Sequence, residues 1–228
     1  MRFRHMTHMN RRLALLGLSA LVFAPNALAQ ELRPRTSDAA TLVTLEGAER
    51  AAALTRVNAA LNGVRALQGR FTQTSPGGSR ATGQFYLQRP GKLRFQYDPP
   101  ATLLIVSDGS VVAMRDTAMR TTERTPLRST PLHLILGENI NLERNARIIR
   151  VSQAGEWTVV TARDRTGEMD GALSLHFDAA NQLRSWDVTD ATGARTRVTL
   201  SDITQPASLD RNLFRLEDVL QQNRPGRR

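Results

Sequence analysis

Apolar residues that recur at every second position, in short runs each closed by a turn signal, can be buried together only on one face of a sheet. Such runs occupy 70–74, 81–89, 92–97, 102–106, 111–115 and 120–125, then resume at 146–151, 157–163, 172–178, 183–189 and 195–203. Between them stand Ser75-Pro76-Gly77-Gly78, Pro90-Gly91, Asp98-Pro99-Pro100 and Asp108-Gly109, and later Gly155, Gly167, Asn181 and Gly193. The Asp-Gly pair suits a tight hairpin turn. Ten or eleven strands joined mostly by short turns form an antiparallel sheet, and a sheet of that many strands curls.

Two segments break the alternation. Residues 46–67 show helical spacing, with Leu54, Val57, Leu61 and Val64 three or four apart, and Gly69 closes the pattern. Residues 131–136 form a short helix carrying Leu132, Ile135 and Leu136, with Thr130 as its cap, Pro131 in its first turn and Gly137 as a left-handed exit. One helix before the sheet and one in mid-chain are placed to cover its concave face. Residues 209–220 read as a short strand or a helical turn.

The first 29 residues read as an export signal. Arg2, Arg4, Arg11 and Arg12 make a positive start, Leu13 to Phe23 is an apolar run, and Ala27-Leu28-Ala29 is a cleavage site. The run of 11 residues is too short to span a bilayer, which takes about 20. No cysteine follows it, so the chain is not lipidated there and is expected to work as a soluble protein. Residues 30–44 form a polar leader, 45–220 a single domain, and 221–228 a basic tail read as disordered.

Composition excludes several chemistries. There is no cysteine in the chain, so neither disulfides, thiolate nucleophiles nor Cys-ligated zinc are available. The net charge of +10 falls to +6 once the four signal arginines leave, and the remaining arginines are scattered among strands rather than clustered with aromatics. Nucleic acid is therefore a poor partner; a mild preference for anionic head groups or an acidic partner is compatible with the charge. Two histidines, His133 and His176, remain after signal removal, and each reads as an ordinary structural residue. Asp164, Glu168, Asp170 and Gly171 do not follow a calcium-loop spacing and read as a solvated hairpin. No catalytic constellation, metal or cofactor is indicated, and the chain is read as no enzyme.

The apolar faces are more informative. Phe85 and Leu87 alternate with Gln84, Tyr86 and Gln88 and share a face, to which Arg89 also projects by parity. Leu93, Phe95 and Tyr97 alternate with Lys92, Arg94 and Gln96 on the next strand. An arginine at the margin of an apolar face needs partners, and backbone carbonyls at the ends of the covering helices suit it.

The run Phe71-Thr72-Gln73, the stretch Gly83 to Tyr97 (GQFYLQRPGKLRFQY) and Ile105-Val106-Ser107-Asp108-Gly109 resemble the LolA-type outer-membrane lipoprotein carriers. Thr130-Pro131-Leu132 also matches in place, and the resemblance extends over about residues 46–220. It implies a mostly β fold with an α lid, a half-open antiparallel β-barrel of about 11 strands covered by helices over a hydrophobic cavity. Phe85, Leu87, Leu93, Phe95, Tyr97, Leu103 and Ile105 would line that cavity and hold acyl chains. Leu54, Val57, Leu61, Val64, Leu132, Ile135 and Leu136 would face it from the lid. Arg89 matches the family's arginine that hydrogen-bonds lid backbone and toggles between closed and open forms. Leu93 stands where the family has an apolar residue important for transfer, and Phe95 where it often has tryptophan.

The resemblance further implies a monomeric periplasmic carrier. It would take acylated lipoproteins from an inner-membrane ABC-type release complex to an outer-membrane receptor. That receptor shares the fold but is itself lipidated, which the missing cysteine argues against here. A related carrier of glycolipid or polyketide-lipid, a lipoprotein-sensing regulator and a β-rich enzyme remain as alternatives. A carrier makes physical sense of the apolar faces, because burying a 16-carbon chain is worth roughly 12 kcal/mol at about 0.8 kcal/mol per methylene.

Overall fold

The turn signals become hairpins, and the hairpins join into one sheet. The computed structural model describes residues 41–165 and 171–216. Its strands are β1 (Val43–Thr44), β2 (Ala66–Thr74), β3 (Arg80–Gln88), β4 (Lys92–Tyr97), β5 (Leu103–Asp108), β6 (Val111–Asp116) and β7 (Thr121–Pro126), then β8 (Ala146–Ala154), β9 (Trp157–Asp164), β10 (Ala172–Phe177), β11 (Leu183–Thr189) and β12 (Arg195–Thr204). They form a single 12-stranded sheet in the order β1-β8-β9-β10-β11-β12-β2-β3-β4-β5-β6-β7. Every pairing is antiparallel. β12 returns to pair with β2, Leu200 opposite Phe71, which curls the two halves of the chain into one surface. β1 and β7 are left as separate edges, so the barrel is not closed.

The helices are α1 (Gly47–Gly63), α2 (His133–Leu136) and α3 (Leu142–Asn145). From α1, Ala53, Leu54, Val57 and Leu61 are buried; from α2, Leu134, Ile135 and Leu136. These join Phe71, Phe85, Leu93, Phe95, Leu175, Phe177 and Val198 of the sheet in one core. Both helices cover the concave face, as the sequence led us to expect.

The boundaries differ from the expectation in informative ways. The first helix ends at Gly63, with Val64 already extended, rather than running to 67. Gly69 closes no helix. It lies inside β2, where a Cβ would sit 2.6 Å from the Ser201 carbonyl and 2.9 Å from the Phe85 ring, so glycine there serves a close approach of strands. α2 begins at His133, two residues later than predicted. Thr130 does not cap it, its hydroxyl donating instead to the Leu127 carbonyl at 2.8 Å. Gly137 is not left-handed, with φ of −57°.

α3 was not anticipated; its cap is Asn141, whose Oδ1 accepts the Arg144 amide at 2.9 Å. The end of the polar leader is also structured, since Val43 and Thr44 pair with Gln153 and Ser152. The segment after β12 makes a 3-10 turn at Arg211–Phe214 on the back of β4 and β5, with Phe214 buried and the Leu213 carbonyl accepting from Arg94 Nη1 at 3.3 Å. The signal, most of the leader, Glu168, Asp170 and the basic tail lie outside the described residues.

Candidate functional site

Arg89 follows directly on β3, at the end of the barrel where α1 finishes. Its Nε donates to the Gly137 carbonyl at 2.9 Å and its Nη2 to the Glu138 carbonyl at 2.9 Å. Toward α1, Nη1 donates to the carbonyls of Leu61 and, at 3.2 Å, Val64, while Nη2 reaches Asn62 Oδ1 at 3.1 Å. One half-buried guanidinium therefore ties the last turn of α1 to the segment leaving α2. The carbonyls at a helix C-terminus carry partial negative charge, which favours a cation there. Burial, and then the neighbouring Arg65 charge, pull the Arg89 pKa below its ordinary value. The main chain adds two bonds at the same place: the Arg89 amide to the Arg65 carbonyl at 2.9 Å and the Gly91 amide to the Leu136 carbonyl at 2.8 Å.

Two α1 residues that the sequence reading passed over complete the junction. Asn62 Nδ2 donates to the Ile140 carbonyl at 2.7 Å and its Oδ1 accepts the Ile140 amide at 2.8 Å. Asn58 Oδ1 accepts the Leu142 amide at 3.0 Å. Both asparagines sit inside the helix beside its apolar stripe, where asparagine is a poor helix former. That misfit, repeated at four-residue spacing, is the signal that could have singled them out.

An apolar cavity of about 290 Å³ opens beside Arg89. Leu61 of α1, Val64 just after it, Leu87, Ile135, Leu183 and Ile203 are among its walls, and the β10–β11 turn forms part of its rim. The predicted cavity residues divide. Leu87 lines the open cavity, whereas Phe85, Leu93, Phe95, Tyr97 and Ile105 are packed as core beneath the helices, and Leu103 is partly buried against that core. The predicted lid residues divide too: Leu61, Val64 and Ile135 border the cavity, while Leu54, Val57, Leu132 and Leu136 are buried in the core.

Five aromatic side chains meet on the concave face. Phe95 lies edge-on to Phe71 at 4.7 Å and to Trp186 at 6.1 Å, and stacks with Phe85 at 6.1 Å. Tyr97 meets Phe71 at 4.9 Å and donates its hydroxyl to Gln73 Oε1 at 2.6 Å; burial raises its pKa.

His133 and His176 fall into structural places. His133 Nδ1 donates to the Thr130 carbonyl at 2.6 Å. His176 lies 3.1 Å from Asp187 Oδ2 on β11, and Arg197 of β12 grips the same carboxylate at 2.6 and 2.7 Å. This cluster is on the opposite face of the sheet from the neighbouring core residues Leu175 and Trp186. Among the described residues, no group of three or more His, Asp or Glu side chains is arranged to hold a metal ion.

The sequence profile described as "Outer membrane lipoprotein carrier protein LolA" matches residues 62–217, more than half of the chain. The chain belongs to the LolA family. This is a family of carriers rather than enzymes. The chain is 29% identical over 187 residues to an outer-membrane lipoprotein carrier protein of Chromobacterium violaceum, covering 78% of this chain and 89% of that protein. It is 32% identical over 140 residues to the one of Nitrosomonas europaea, covering 59% of this chain and 68% of that protein. Among solved structures it is similar to a LolA superfamily protein of Nitrosomonas europaea, at 10% identity and a TM-score of 0.42, over 72% of this chain and 96% of that one. Among the described residues, no helix of this LolA-family chain is long and apolar enough to cross a membrane.

Proposed function

We propose that this LolA-family chain is a periplasmic carrier that shelters the acyl chains of lipoproteins beneath its lid. It accepts them from an ABC-type release complex at the inner membrane and passes them to an outer-membrane receptor. Arg89 is the latch. The observation that carries this reading is the set of five hydrogen bonds by which one side chain holds α1 and the α2 exit together at the rim of an apolar cavity.

Energetics support the assignment. Shielding one 16-carbon chain from water is worth roughly 12 kcal/mol, so the carrier must offer an apolar surface of comparable length. The cavity of about 290 Å³ lies at the lower end of ordinary ligand pockets and is too small for several such chains. Cargo therefore enters by displacing α1 and α2 from the aromatic face they cover. Hydrogen bonds from a charged group contribute about 1.5–3 kcal/mol each, enough to hold the lid shut and weak enough for apolar cargo to open it.

The test is mass spectrometry of lipid and lipoprotein that co-purify with the tagged protein from periplasmic extract, for wild type and Arg89→Leu. Triacylated lipoproteins on the wild type, retained abnormally by a folded Arg89→Leu, are expected. Free glycolipid in their place would keep the latch and change the cargo. An empty protein that also fails to take up a fluorescent fatty acid would overturn the carrier reading.

A further inference from the structure

Trp186 presents the concave face with a hydrogen-bond donor that no described residue uses. Among the described residues, its indole Nε1 is the only buried side-chain nitrogen or oxygen without a partner. The residue is 4% exposed. Its position on β11, opposite Leu175 of β10 and Val198 of β12, both buried, turns it to the inside of the barrel. From there its ring spans the interior to meet Phe95 of β4.

A buried N–H with no acceptor is costly, and tryptophans that are buried usually find one. Elsewhere the interior follows the rule, Tyr97 and Gln73 satisfying each other. Phenylalanine would keep an aromatic ring against Phe95 without the penalty. The unpaired donor therefore points to an acceptor that arrives from outside.

We propose that the Trp186 N–H binds the carbonyl oxygen of an ester- or amide-linked acyl chain once the lid has moved. The inference rests on the carrier reading and deepens it, since it separates acyl cargo from plain hydrocarbon. Leu183, opposite Phe177, already lines the cavity, and the bulge that follows it sets Trp186, opposite Leu175, on the same inner face two ladder positions, roughly 7 Å, further along β11. A carbonyl is the chemistry that fits: it accepts one hydrogen bond, carries no charge into the apolar interior, and lies at the head of every acyl chain. A free carboxylate fits less well, because one neutral donor cannot offset its desolvation.

The test compares two probes of equal chain length, 1-palmitoylglycerol, which has an ester carbonyl, and 1-O-hexadecylglycerol, the ether that lacks it. Each displaces an apolar dye from wild type and from Trp186→Phe. Wild type should prefer the ester by roughly 5- to 10-fold, the worth of one hydrogen bond. Trp186→Phe should bind both probes alike, at the wild-type affinity for the ether, with a melting temperature no lower than wild type.

The wild-type protein provides a second measurement that does not depend on the variant's folding. The chain has two tryptophans, Trp186 buried and Trp157 45% exposed, so their indole N–H resonances are separable by NMR. The Trp186 resonance should move downfield with the ester and not with the ether. Equal binding of both probes to wild type, or an ester preference that survives in Trp186→Phe, would overturn the proposal and leave the carrier reading standing. Failure of both probes to bind wild type would remove the proposal and the carrier reading together.

Discussion

Arg89 and Asn62 share one acceptor: Asn62 Oδ1 takes the Arg89 guanidinium at 3.1 Å and the Ile140 amide at 2.8 Å together. The latch is thus a small network in which the amide of Asn62 joins the arginine to the segment between α2 and α3. Removing Asn62 by Asn62→Ala leaves the buried Ile140 main chain without either of its side-chain partners. Stability should fall by about 1–3 kcal/mol in urea melts. Exchange of the Ile140 amide should quicken well before that of the central strands. Unchanged exchange at Ile140 would show that the network does not hold the lid segment.

Acid should loosen the opposite face of the sheet. Burial alone would raise the Asp187 pKa, but hydrogen bonds from Arg197 and His176 outweigh it and hold the carboxyl far below its ordinary value. A carboxyl depressed in the folded state stabilises fully above its unfolded pKa, near 3.9, and that contribution disappears as pH falls through the folded value. Asp98, Asp116, Asp178 and Asp190 are depressed as well, so the Asp187 share is read by difference. Asp187→Asn should lower stability by about 1–3 kcal/mol at pH 7 and show a shallower loss between pH 5 and 2 than wild type, by chemical denaturation at each pH. Parallel pH curves would refute it.

Gly83 makes room for the aromatic face. A Cβ there would stand 2.2 Å from the Gln96 carbonyl and 2.6 Å from the Phe71 ring, and main chain cannot give way cheaply. Gly83→Ala should cost more than about 2 kcal/mol and shift the near-UV spectrum of the aromatic cluster. A stability within error of wild type would mean the strands relax freely.

The segment after β12 should matter for folding and not for cargo. Phe214 is buried against the back of the sheet, away from the helices. Phe214→Ala should cost about 3 kcal/mol while leaving uptake of an apolar dye unchanged. A loss of uptake in the still-folded variant would show coupling between the two faces.

Much of this is legible in the sequence alone. Leu93, Phe95 and Tyr97 share a face with Phe85 because side-chain alternation along a strand is geometric and needs no partner to set it. For the same reason Arg89 could be placed at the margin of the apolar face and its need for carbonyl partners foreseen. The end of the first helix could not. The apolar spacing continues through Val64 and Leu67, and only the pairing of Leu67 with Leu87 makes the second of these a strand residue.

By itself, then, the sequence determined the strand periodicity, the curled antiparallel sheet and the presence of two covering helices, all consequences of local geometry and turn chemistry. The tertiary structure decided which apolar residues pack solid and which border a cavity, because that depends on how closely α1 and α2 approach the sheet. It alone brought Asn62 to Ile140, 78 positions apart, and left the Trp186 N–H without an acceptor among the described residues. Hydrogen bonds between distant segments leave no periodic trace in a chain; they exist only once the backbone has carried donor and acceptor to within about 3 Å.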